Sequence, residues 1–465
     1  MVVAVTRRTV LKQLSTAAAL GAVTSWSPVS AAARRRRLIP WSNWSGGQRC
    51  IPAQRVAPTS EAAIADLLEN SRGVVRPVGA SHSFSALVPT DGTLVSLAQL
   101  TGMIGHNPDT LEAEFWAGTP MSQMGQPLHE AGQALVNMAD IDYQTLAGAI
   151  ATSTHGTGID YGSYSAYVSG LRLITASGDV LDCDAENNPE IFSAARVSLG
   201  ALGVITRIRM KNRQPFRVHE QTWVQDTNEL LEDVDRLRKE NDRFEFIPIL
   251  HSDVSLCVTL NETNDPNTLP KEGGGDGDKV SLLRNVHKYA GGFPNARASL
   301  VNTLAKQMDF PDVIDQSYKV FANVRDQRFN EMEYTVPAEA GPDCLREIMA
   351  LVRKKNLNSF LPLEYRYIKA DDIPLSMFSG RDGCAISVHQ SYELDYHNFF
   401  AAVEPIFWKY EGRPHWGKLH SLNAAQLSKL YPQWQDFTAL REELDPDGRF
   451  LNGHLASVFG TRMRD

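Results

Sequence analysis

The sequence predicts an α+β protein with two domains, and three observations support this prediction. The chain has 465 residues, of which 43% are hydrophobic, so it can bury more than one core. Up to about residue 213, short runs with strand alternation are interleaved with short runs of helical spacing. Near Pro215 a new block begins, in which an amphipathic helix candidate is followed by strand candidates. We therefore expect domains over residues 40–213 and 214–412, and a C-terminal segment, 413–465, that packs back on the first domain.

The first domain begins with a capped helix and ends with strands. Ser60 can cap a helix in which apolar residues recur at helical spacing over residues 61–69. The apolar run Val74–Val78 predicts a strand that leads into a glycine-containing loop. Further on, Leu171–Asp182 predicts a hairpin, and Gly203–Met210 alternates as a strand does. This mixture of elements is typical of an α+β domain.

The second block shows longer periodic segments. Residues Thr227–Arg238 have leucine and valine at helical spacing, and strands are expected at Phe244–Leu250 and Val254–Leu260. The polar, glycine-rich segment Asn261–Asp278 predicts a long surface loop. The remaining predicted elements are a strand at Asn330–Val336, a helix at Cys344–Lys354 and a strand within Leu361–Ile368.

The first 33 residues read as a twin-arginine signal peptide. Paired arginines in Thr6–Lys12 precede the apolar run Leu14–Val23 and the small residues Ser30–Ala33. The apolar run is too short to span a bilayer, so no stable membrane anchor is expected. We expect a protein exported by the twin-arginine route, and therefore periplasmic or secreted. That route carries folded proteins, which suits a protein that acquires a cofactor in the cytoplasm.

The charge of the chain argues against nucleic acid as a partner. The formal net charge is −8, and loss of residues 1–33 removes three cations and no acid, which gives −11 for the mature chain. The basic run Arg34–Arg37 is interpreted as a solvated tail near the cleavage point. The five cysteines lie far apart and form no C-x-x-C pair, so the sequence indicates neither a disulfide framework nor a metal site.

Two histidine-centred loops form the focus of the chain. In Arg76–Phe84, the small residues Gly79, Ala80 and Ser81 would let backbone N–H groups approach a bound anion, and His82 follows them. The segment Thr154–Gly158 repeats the theme around a second histidine. Neither loop is a Rossmann G-x-G-x-x-G or a Walker loop, and an ordinary strand-to-turn connection is the alternative for the first. Together they could clamp one elongated ligand.

Five motifs of the chain resemble those of a known family and occur in the same order. They are Gly79–Phe84, Ala147–Gly158, Gly200–Thr206, Glu364-Tyr-Arg366 and His415-Trp-Gly-Lys418. The set resembles the vanillyl-alcohol-oxidase superfamily, with its PCMH-type FAD-binding domain, and its aldonolactone oxidase and alditol oxidase branch. The resemblance runs from about residue 40 to the C-terminus. It implies a two-domain flavoprotein with an FAD-binding domain and a sheet-plus-helices substrate (cap) domain.

The resemblance also implies which residues bind FAD. A covalent bond from His82 to the 8α-methyl group of the flavin is expected, and a histidine that only hydrogen-bonds to the cofactor is the alternative. The residues expected to bind the cofactor are Val78, Gly79, Ala80, Ser81, His82, Ser83, Phe84, Gly148, Ala149, Thr154, His155, Thr157, Gly158, Gly203, Val204, Ile205 and Lys418. The small side chains of Leu146–Thr154 are expected to pack poorly as a core and to lie flat against a planar ring.

Four residues are candidates for catalysis. On a strand, Glu364 and Arg366 share a face; spacing alone would fit a surface ion pair, but the resemblance implies that they meet substrate hydroxyls. His389 lies on a strand face with two serines, and it fits either a structural histidine or the substrate pocket of the family. Lys418, which could otherwise be an exposed turn lysine, would offset negative charge that develops on the flavin.

The implied activity is oxidation of an alcohol carbon of a sugar, polyol or aldonolactone, with O₂ as acceptor and H₂O₂ as product. A dehydrogenase that passes electrons to a cytochrome or quinone is the alternative. The unusually polar segment Met138–Gln144 leaves other substrates open, such as a nucleoside or a sterol. A flavin carrier without turnover would lack the Glu364 and Arg366 pair. A metallohydrolase using His82, His155 and His389 would need ligand spacing that the sequence does not show.

Overall fold

The structure is a computed structural model that describes residues 38–268, 277–323, 325 and 327–461. The predicted signal peptide, the basic run Arg34–Arg37 and residues 269–276 of the predicted glycine-rich loop lie outside these residues. Within them, no helix is both long enough and apolar enough to cross a membrane. The described chain mixes helices and sheets throughout, which confirms the predicted α+β class.

As far as the structure describes it, the N-terminal region contains two larger sheets and a short two-stranded one formed by its first two strands. Its strands are β1 (Trp41–Ser42), β2 (Arg49–Cys50), β3 (Gln54–Val56), β4 (Val75–Val78), β5 (Thr93–Ser96), β6 (Met103–Asn107), β7 (Glu112–Trp116), β8 (Val168–Ile174), β9 (Val180–Asp184) and β10 (Val204–Lys211). Its α-helices are α1 (Glu61–Asn70), α2 (Gly125–Glu130), α3 (Leu146–Ala151) and α4 (Pro189–Ala195). A parallel sheet has the order β3-β5-β4, and an antiparallel sheet has the order β6-β7-β10-β8-β9. The strand β4 leads directly into the His82 loop.

Local sequence signals explain several of these elements. The hydroxyl of Ser60 accepts a hydrogen bond from the N–H of Ala63 at 3.2 Å, which caps α1 as predicted. The predicted hairpin is confirmed as β8 and β9, with Gly178 in the left-handed region at φ 92° in the turn. The expectation that Leu146–Thr154 packs poorly is wrong. Thr145 caps α3, and the helix buries Leu146, Ala149 and Ile150 in the core.

The cap region is built on a single large antiparallel sheet. Its strands are β11 (Arg217–Asp226), β12 (Phe244–Pro248), β13 (Val254–Thr263), β14 (Val313–Gln316), β15 (Phe329–Pro337), β16 (Glu364–Ile368), β17 (Gly383–Ser391) and β18 (Arg413–Pro414). The order of these described strands is β14-β11-β13-β12-β16-β17-β15-β18. The helices are α5 (Thr227–Glu240), α6 (Gly277–Ala290), α7 (Pro294–Lys306), α8 (Ser317–Val320), α9 (Gly341–Lys354) and α10 (His397–Lys409). The sequence interpretation anticipated α5 and α9 but assigned no element to the helix pair α6 and α7.

The C-terminal segment contacts the N-terminal region. It contains α11 (Ala424–Leu430), α12 (Trp434–Leu444) and α13 (Gly453–Phe459). Asn452 donates hydrogen bonds to the carbonyl oxygens of Ala86 and Pro89, both at 2.8 Å. The buried guanidinium of Arg76 donates to the carbonyl of Leu199 at 2.7 Å and also to that of Phe450. These bonds hold the end of the chain beside the His82 loop, while the predicted domain limits stay predictions.

Candidate active site

A cavity of about 550 Å³ lies between the N-terminal region and the cap sheet. This volume is within the range of cofactor and substrate pockets in proteins. Both predicted loops reach it. The predicted residues that line it are Val78, Gly79, Ala80, Ser81, His82, Ser83, Phe84, Gly148, Thr154, His155, Gly203, Ile205, Glu364, Arg366, His389 and Lys418.

Four predicted cofactor residues do not line the cavity. Ala149 is buried in the core because α3 turns it away, and Val204 points to the opposite face of β10 from Gly203 and Ile205. Thr157 donates from its hydroxyl to the carbonyl of Phe244 at 2.7 Å, and the N–H of Gly158 donates to the carbonyl of Tyr367 at 2.7 Å. These last two residues therefore join the second loop to the cap sheet.

The first loop presents its backbone to the cavity. Ser81 has a left-handed backbone at φ 64°, and the N–H groups of Ala80 to Ser83 donate to no acceptor among the described residues. At Gly79, a Cβ would lie 2.3 Å from the Thr145 hydroxyl oxygen, so only glycine fits. Such unpaired, converging N–H groups suit an anionic group of a cofactor, as the sequence predicted.

His82 lies in an aromatic stack at the cavity. Its ring is 5.8 Å from that of Trp44 at 25° and 6.1 Å from that of Tyr143 at 11°. Neither ring nitrogen hydrogen-bonds to the described residues. Burial and the charge of Lys418 lower the pKa of His82 to about 4, so the ring is neutral at pH 7. The ring is thus held in place with a nitrogen lone pair available.

The second histidine is paired with a buried carboxylate. Nδ1 of His155 lies 2.9 Å from the carbonyl oxygen of Gly156, and Nε2 lies 2.8 Å from Oε1 of Glu333. The pKa of Glu333 is held well below its usual range: burial opposes ionisation, but the electrostatic interaction with His155 and the hydrogen bond to its ring outweigh it. The contact between His155 and Glu333 therefore links the two regions through buried side chains.

One face of the cap sheet carries a row of ionisable side chains toward the cavity. In the register, Ser387 lies opposite both Glu364 and Glu333, and His389 lies opposite Glu331. Because side chains alternate along strands, residues opposite one another share a face. The strand pairing thus brings together side chains that are 23 to 58 residues apart in the sequence.

Glu364 and Arg366 form a largely buried pair. Nη1 of Arg366 lies 2.8 Å from Oε2 of Glu364, and their side chains are 10% and 14% exposed. Nε of Arg366 donates to Oε2 of Glu245 at 2.7 Å. Although burial opposes the charge, the neighbouring carboxylates raise the pKa of Arg366 above its ordinary value. A surface ion pair is excluded, and the pair can contact a ligand in the cavity.

Lys418 and His389 share the carboxylate of Glu331. The ammonium of Lys418 pairs with Oε2 of Glu331, and Nε2 of His389 lies 3.5 Å from Oε1. Burial lowers the pKa of His389, but the charge of Glu331 outweighs it, so the net shift is upward. The carbonyl of Gly417 accepts a hydrogen bond from the N–H of Phe84 at 2.6 Å, which ties the Lys418 turn to the His82 loop.

His415 is buried and neutral. Its Nδ1 accepts a hydrogen bond from the N–H of Gly417 at 3.0 Å, so the neutral ring carries its proton on Nε2. Burial lowers its pKa to about 4. Among the described residues, two groups have metal-ligand atoms within 4.8 Å of one another: His155 with Glu333 and His415, and Glu331 with Glu364 and His389. In the first group His155 is already paired with Glu333, and in the second His389 is already paired with Glu331.

The sequence interpretation missed several cavity residues. Glu331 and Glu333 lie on a strand that was predicted, and their spacing of two was the signal that both face one way. Arg325 carried no individual signal, and His415 was quoted within a motif without a role of its own. Glu245, which pairs with Arg366 but does not line the cavity, carried no signal either. Of the polar segment 138–144, Asp140, Tyr143 and Gln144 line the cavity, whereas Asp142 does not.

Comparisons with known proteins agree with this architecture. A family described as FAD binding domain matches residues 52–184, and one described as D-arabinono-1,4-lactone oxidase matches residues 208–458. The chain is 38% identical over 426 residues to L-gulono-1,4-lactone dehydrogenase of Mycobacterium tuberculosis, covering 90% of this chain and 99% of that protein. It is 29% identical to L-gulonolactone oxidase of Bos taurus and 27% identical to alditol oxidase of a Streptomyces species, with coverage of 90% of this chain and 98% of each relative.

A solved structure shares the fold. The structure titled solvent-stable cholesterol oxidase superposes with a TM-score of 0.76 at 18% identity, covering 91% of this chain and 97% of that one. The protein is therefore a two-domain FAD-dependent oxidoreductase of the vanillyl-alcohol-oxidase superfamily, as the motifs indicated. It belongs to the D-arabinono-1,4-lactone oxidase family. The relatives support FAD-dependent oxidation of sugar-like substrates.

Proposed function

We propose that the protein is a secreted FAD oxidase that removes a hydride from an alcohol carbon of a sugar, polyol or aldonolactone. The observation that carries the proposal is the buried Glu364 and Arg366 pair, which lies in the same cavity as the His82 loop. When bound, FAD supplies the hydride acceptor. The N–H groups of the first loop suit the anionic part of FAD. Because Gly79 and Gly148 have no side chains, the protein backbone can approach the cofactor closely there.

Three side chains have distinct roles in this reaction. The carboxylate of Glu364 accepts a hydrogen bond from a substrate hydroxyl, and the guanidinium of Arg366 donates one to a neighbouring oxygen. The ammonium of Lys418 would offset negative charge on the cofactor when the cofactor is bound and reduced. Glu331 orients Lys418, since the two form an ion pair.

The experiment that tests the proposed substrate class is a kinetic survey of purified protein with lactones, polyols, a nucleoside and a sterol.

The lining of the cavity supports a polyhydroxylated substrate over a sterol. Five carboxylate and guanidinium side chains of the cap face reach the cavity: Arg325, Glu331, Glu333, Glu364 and Arg366. Burying an apolar ring system against these groups would remove water from them without replacing its hydrogen bonds. Turnover of a sterol with no turnover of lactones or polyols would contradict the proposal.

A covalent bond between His82 and FAD is part of the proposal. The neutral ring, its fixed orientation between Trp44 and Tyr143 and its free nitrogens support it. After acid precipitation, yellow colour is expected to stay with the protein pellet, and His82→Ala is expected to release it. The matched control is His106→Ala, because His106 is exposed on β6 and does not line the cavity. Flavin in the supernatant of the wild type would contradict the linkage.

The electron acceptor is proposed to be O₂. A dehydrogenase that uses a cytochrome or quinone is the second candidate, since the 38%-identical relative is named a dehydrogenase. Oxygen uptake matched by H₂O₂ formation during substrate oxidation would support the oxidase. Rapid bleaching of the flavin by substrate, with negligible oxygen uptake but reduction of a dye or cytochrome, would favour the dehydrogenase.

Export by the twin-arginine route is also proposed, on the sequence of residues 1–33 alone. Replacing both Arg7 and Arg8 by lysine keeps the charge but removes the paired arginines. Accumulation of the variant in the cytoplasm with its leader intact is expected. Export of the variant at the wild-type level would contradict this route.

A further inference from the structure

One ion-pair cluster in the cavity has no role in the proposed reaction. Asp140 belongs to the polar segment before α3, and Arg325 precedes β15; both line the cavity. Nη2 of Arg325 donates to Oδ2 of Asp140 at 2.5 Å and to Oε1 of Glu364 at 3.2 Å. Arg325 therefore lies between the carboxylate of the substrate pair and a carboxylate of the N-terminal region.

Asp140 is firmly held as an anion. The side-chain amide of Asn323 donates to its Oδ1 at 2.7 Å, and the N–H of Asn323 donates to its carbonyl oxygen at 2.6 Å. The side chains of Asp140 and Arg325 are 15% and 23% exposed. Burial opposes ionisation of Asp140, but the charges of Arg325 and Arg366 keep its pKa below the ordinary value. At neutral pH the carboxylate is a fixed counter-ion for Arg325.

The cations around the substrate space are already matched by carboxylates. Arg366 is paired with Glu364 and Glu245, and Lys418 is paired with Glu331. A carboxylate on a substrate would be repelled by several fixed anions in the cavity. The cations that could attract it are already neutralised by protein carboxylates. Hydroxyl groups meet no such barrier, because they can donate to the carboxylates and accept from the guanidinium groups.

We propose that Asp140 and Arg325 determine specificity by restricting the site to uncharged polyhydroxyl substrates. Arg325 donates to a substrate hydroxyl distant from the reacting carbon, and Asp140 cancels the positive charge that would otherwise attract a carboxylate. A closed lactone is accepted on this basis, whereas the aldonate produced by hydrolysis of its ring is rejected. The inference rests on the proposed function and adds to it the charge class of the substrate.

The test compares a hexono-1,4-lactone with the sodium salt of the corresponding aldonic acid at pH 7. Wild type, Asp140→Asn, Arg325→Gln and the double variant are assayed for kcat/KM with both compounds. Asp140→Asn is expected to raise the ratio of acid to lactone activity about tenfold or more, because Arg325 loses its closer carboxylate partner and keeps the longer contact to Glu364, so that a substrate carboxylate can gain a charge-assisted bond to it. The double variant is expected to return to the wild-type ratio.

Asp142→Asn is the matched control. It removes the same charge two residues away, but Asp142 lies outside the cavity lining. Its ratio of acid to lactone activity is expected to equal that of the wild type. If Asp140 and Arg325 only fasten two segments together, Asp140→Asn will lower both activities equally and leave the ratio unchanged, which overturns the inference. Flavin content and thermal midpoint, measured for every variant, report loss of folding separately.

A binding measurement separates this inference from the proposed function. Calorimetric titration with the aldonate needs no turnover, and it is expected to show binding to Asp140→Asn but not to wild type or the double variant. Wild type that oxidises lactone yet binds the aldonate equally well overturns the inference alone. Wild type that oxidises neither lactone nor polyol overturns the proposed function, whatever the titration shows.

Discussion

The two walls of the cavity are built on different principles. The N-terminal wall offers backbone N–H groups, glycine and alanine, and a neutral His82 held between aromatic rings. The cap wall offers ionised side chains in pairs, each carboxylate with a cation as its partner. The first wall suits a planar group and an anion held by backbone N–H groups, and the second suits hydroxyl groups held by hydrogen bonds. Under the proposed function, the cavity thus separates cofactor binding from substrate binding by its chemistry.

This division makes the two walls separable by mutation. Changes on the cap wall should alter turnover and leave flavin content intact. Changes on the N-terminal wall should alter flavin content first, and turnover only as a consequence.

The largest effect is expected for Glu364→Gln. The amide keeps the size of the side chain but removes the negative charge beside Arg366 and Arg325. We expect kcat/KM for the best lactone or polyol to fall by about 10² to 10³-fold, with flavin content unchanged. Steady-state kinetics and the absorption spectrum measure both quantities. Glu240→Gln, at an exposed site on α5, is the control, and an equal loss there would remove the distinction between the walls.

A smaller effect, on the other wall, is expected for Gly79→Ala. The added Cβ would lie 2.3 Å from the hydroxyl oxygen of Thr145, so the loop must shift away from its present position. We expect flavin occupancy to fall by about half or more, because the N–H groups move with the loop. Gly105→Ala is the control, since no atom lies within 4 Å of a Cβ there. Full occupancy in Gly79→Ala would show that the loop position is not set by this contact.

The smallest effect concerns Glu333, which links the walls through His155. Its folded pKa is depressed, so the stability it contributes is present above about pH 4.5 and is lost as the pH falls through the folded pKa. Glu333→Gln is expected to cost about 3 kcal/mol at neutral pH. Thermal midpoints from pH 7 to pH 3.5 should show a gap to wild type that narrows below pH 4.5. The exposed Glu339→Gln should show no gap, and a constant gap for Glu333→Gln would contradict a stabilising role of the ionised Glu333 carboxylate.

The sequence allowed one wall to be predicted far better than the other. The loop around His82 could be predicted from neighbouring residues, because its glycine and small residues indicate a backbone that can approach a ligand closely. The cap wall depends on register across β15, β16 and β17, and no local pattern shows which residues pair across a sheet. Glu364 and Arg366 were found because they match a motif of the resembled family on one strand; Arg325 and Glu245 come from separate segments. Ala149, Thr157, Gly158 and Val204 show the converse, in which a motif includes residues that do not line the cavity.

The bond from Arg76 to the carbonyl of Phe450 has a consequence for biosynthesis. The strand that leads into the His82 loop is fastened to residues near the end of the chain, and Asn452 closes the same region. A nascent chain that has not reached residue 450 has every glycine of the first loop but lacks the contacts that hold this loop in place. We therefore expect the loop to take its final position only after residues 450–452 have been synthesised and have packed against it.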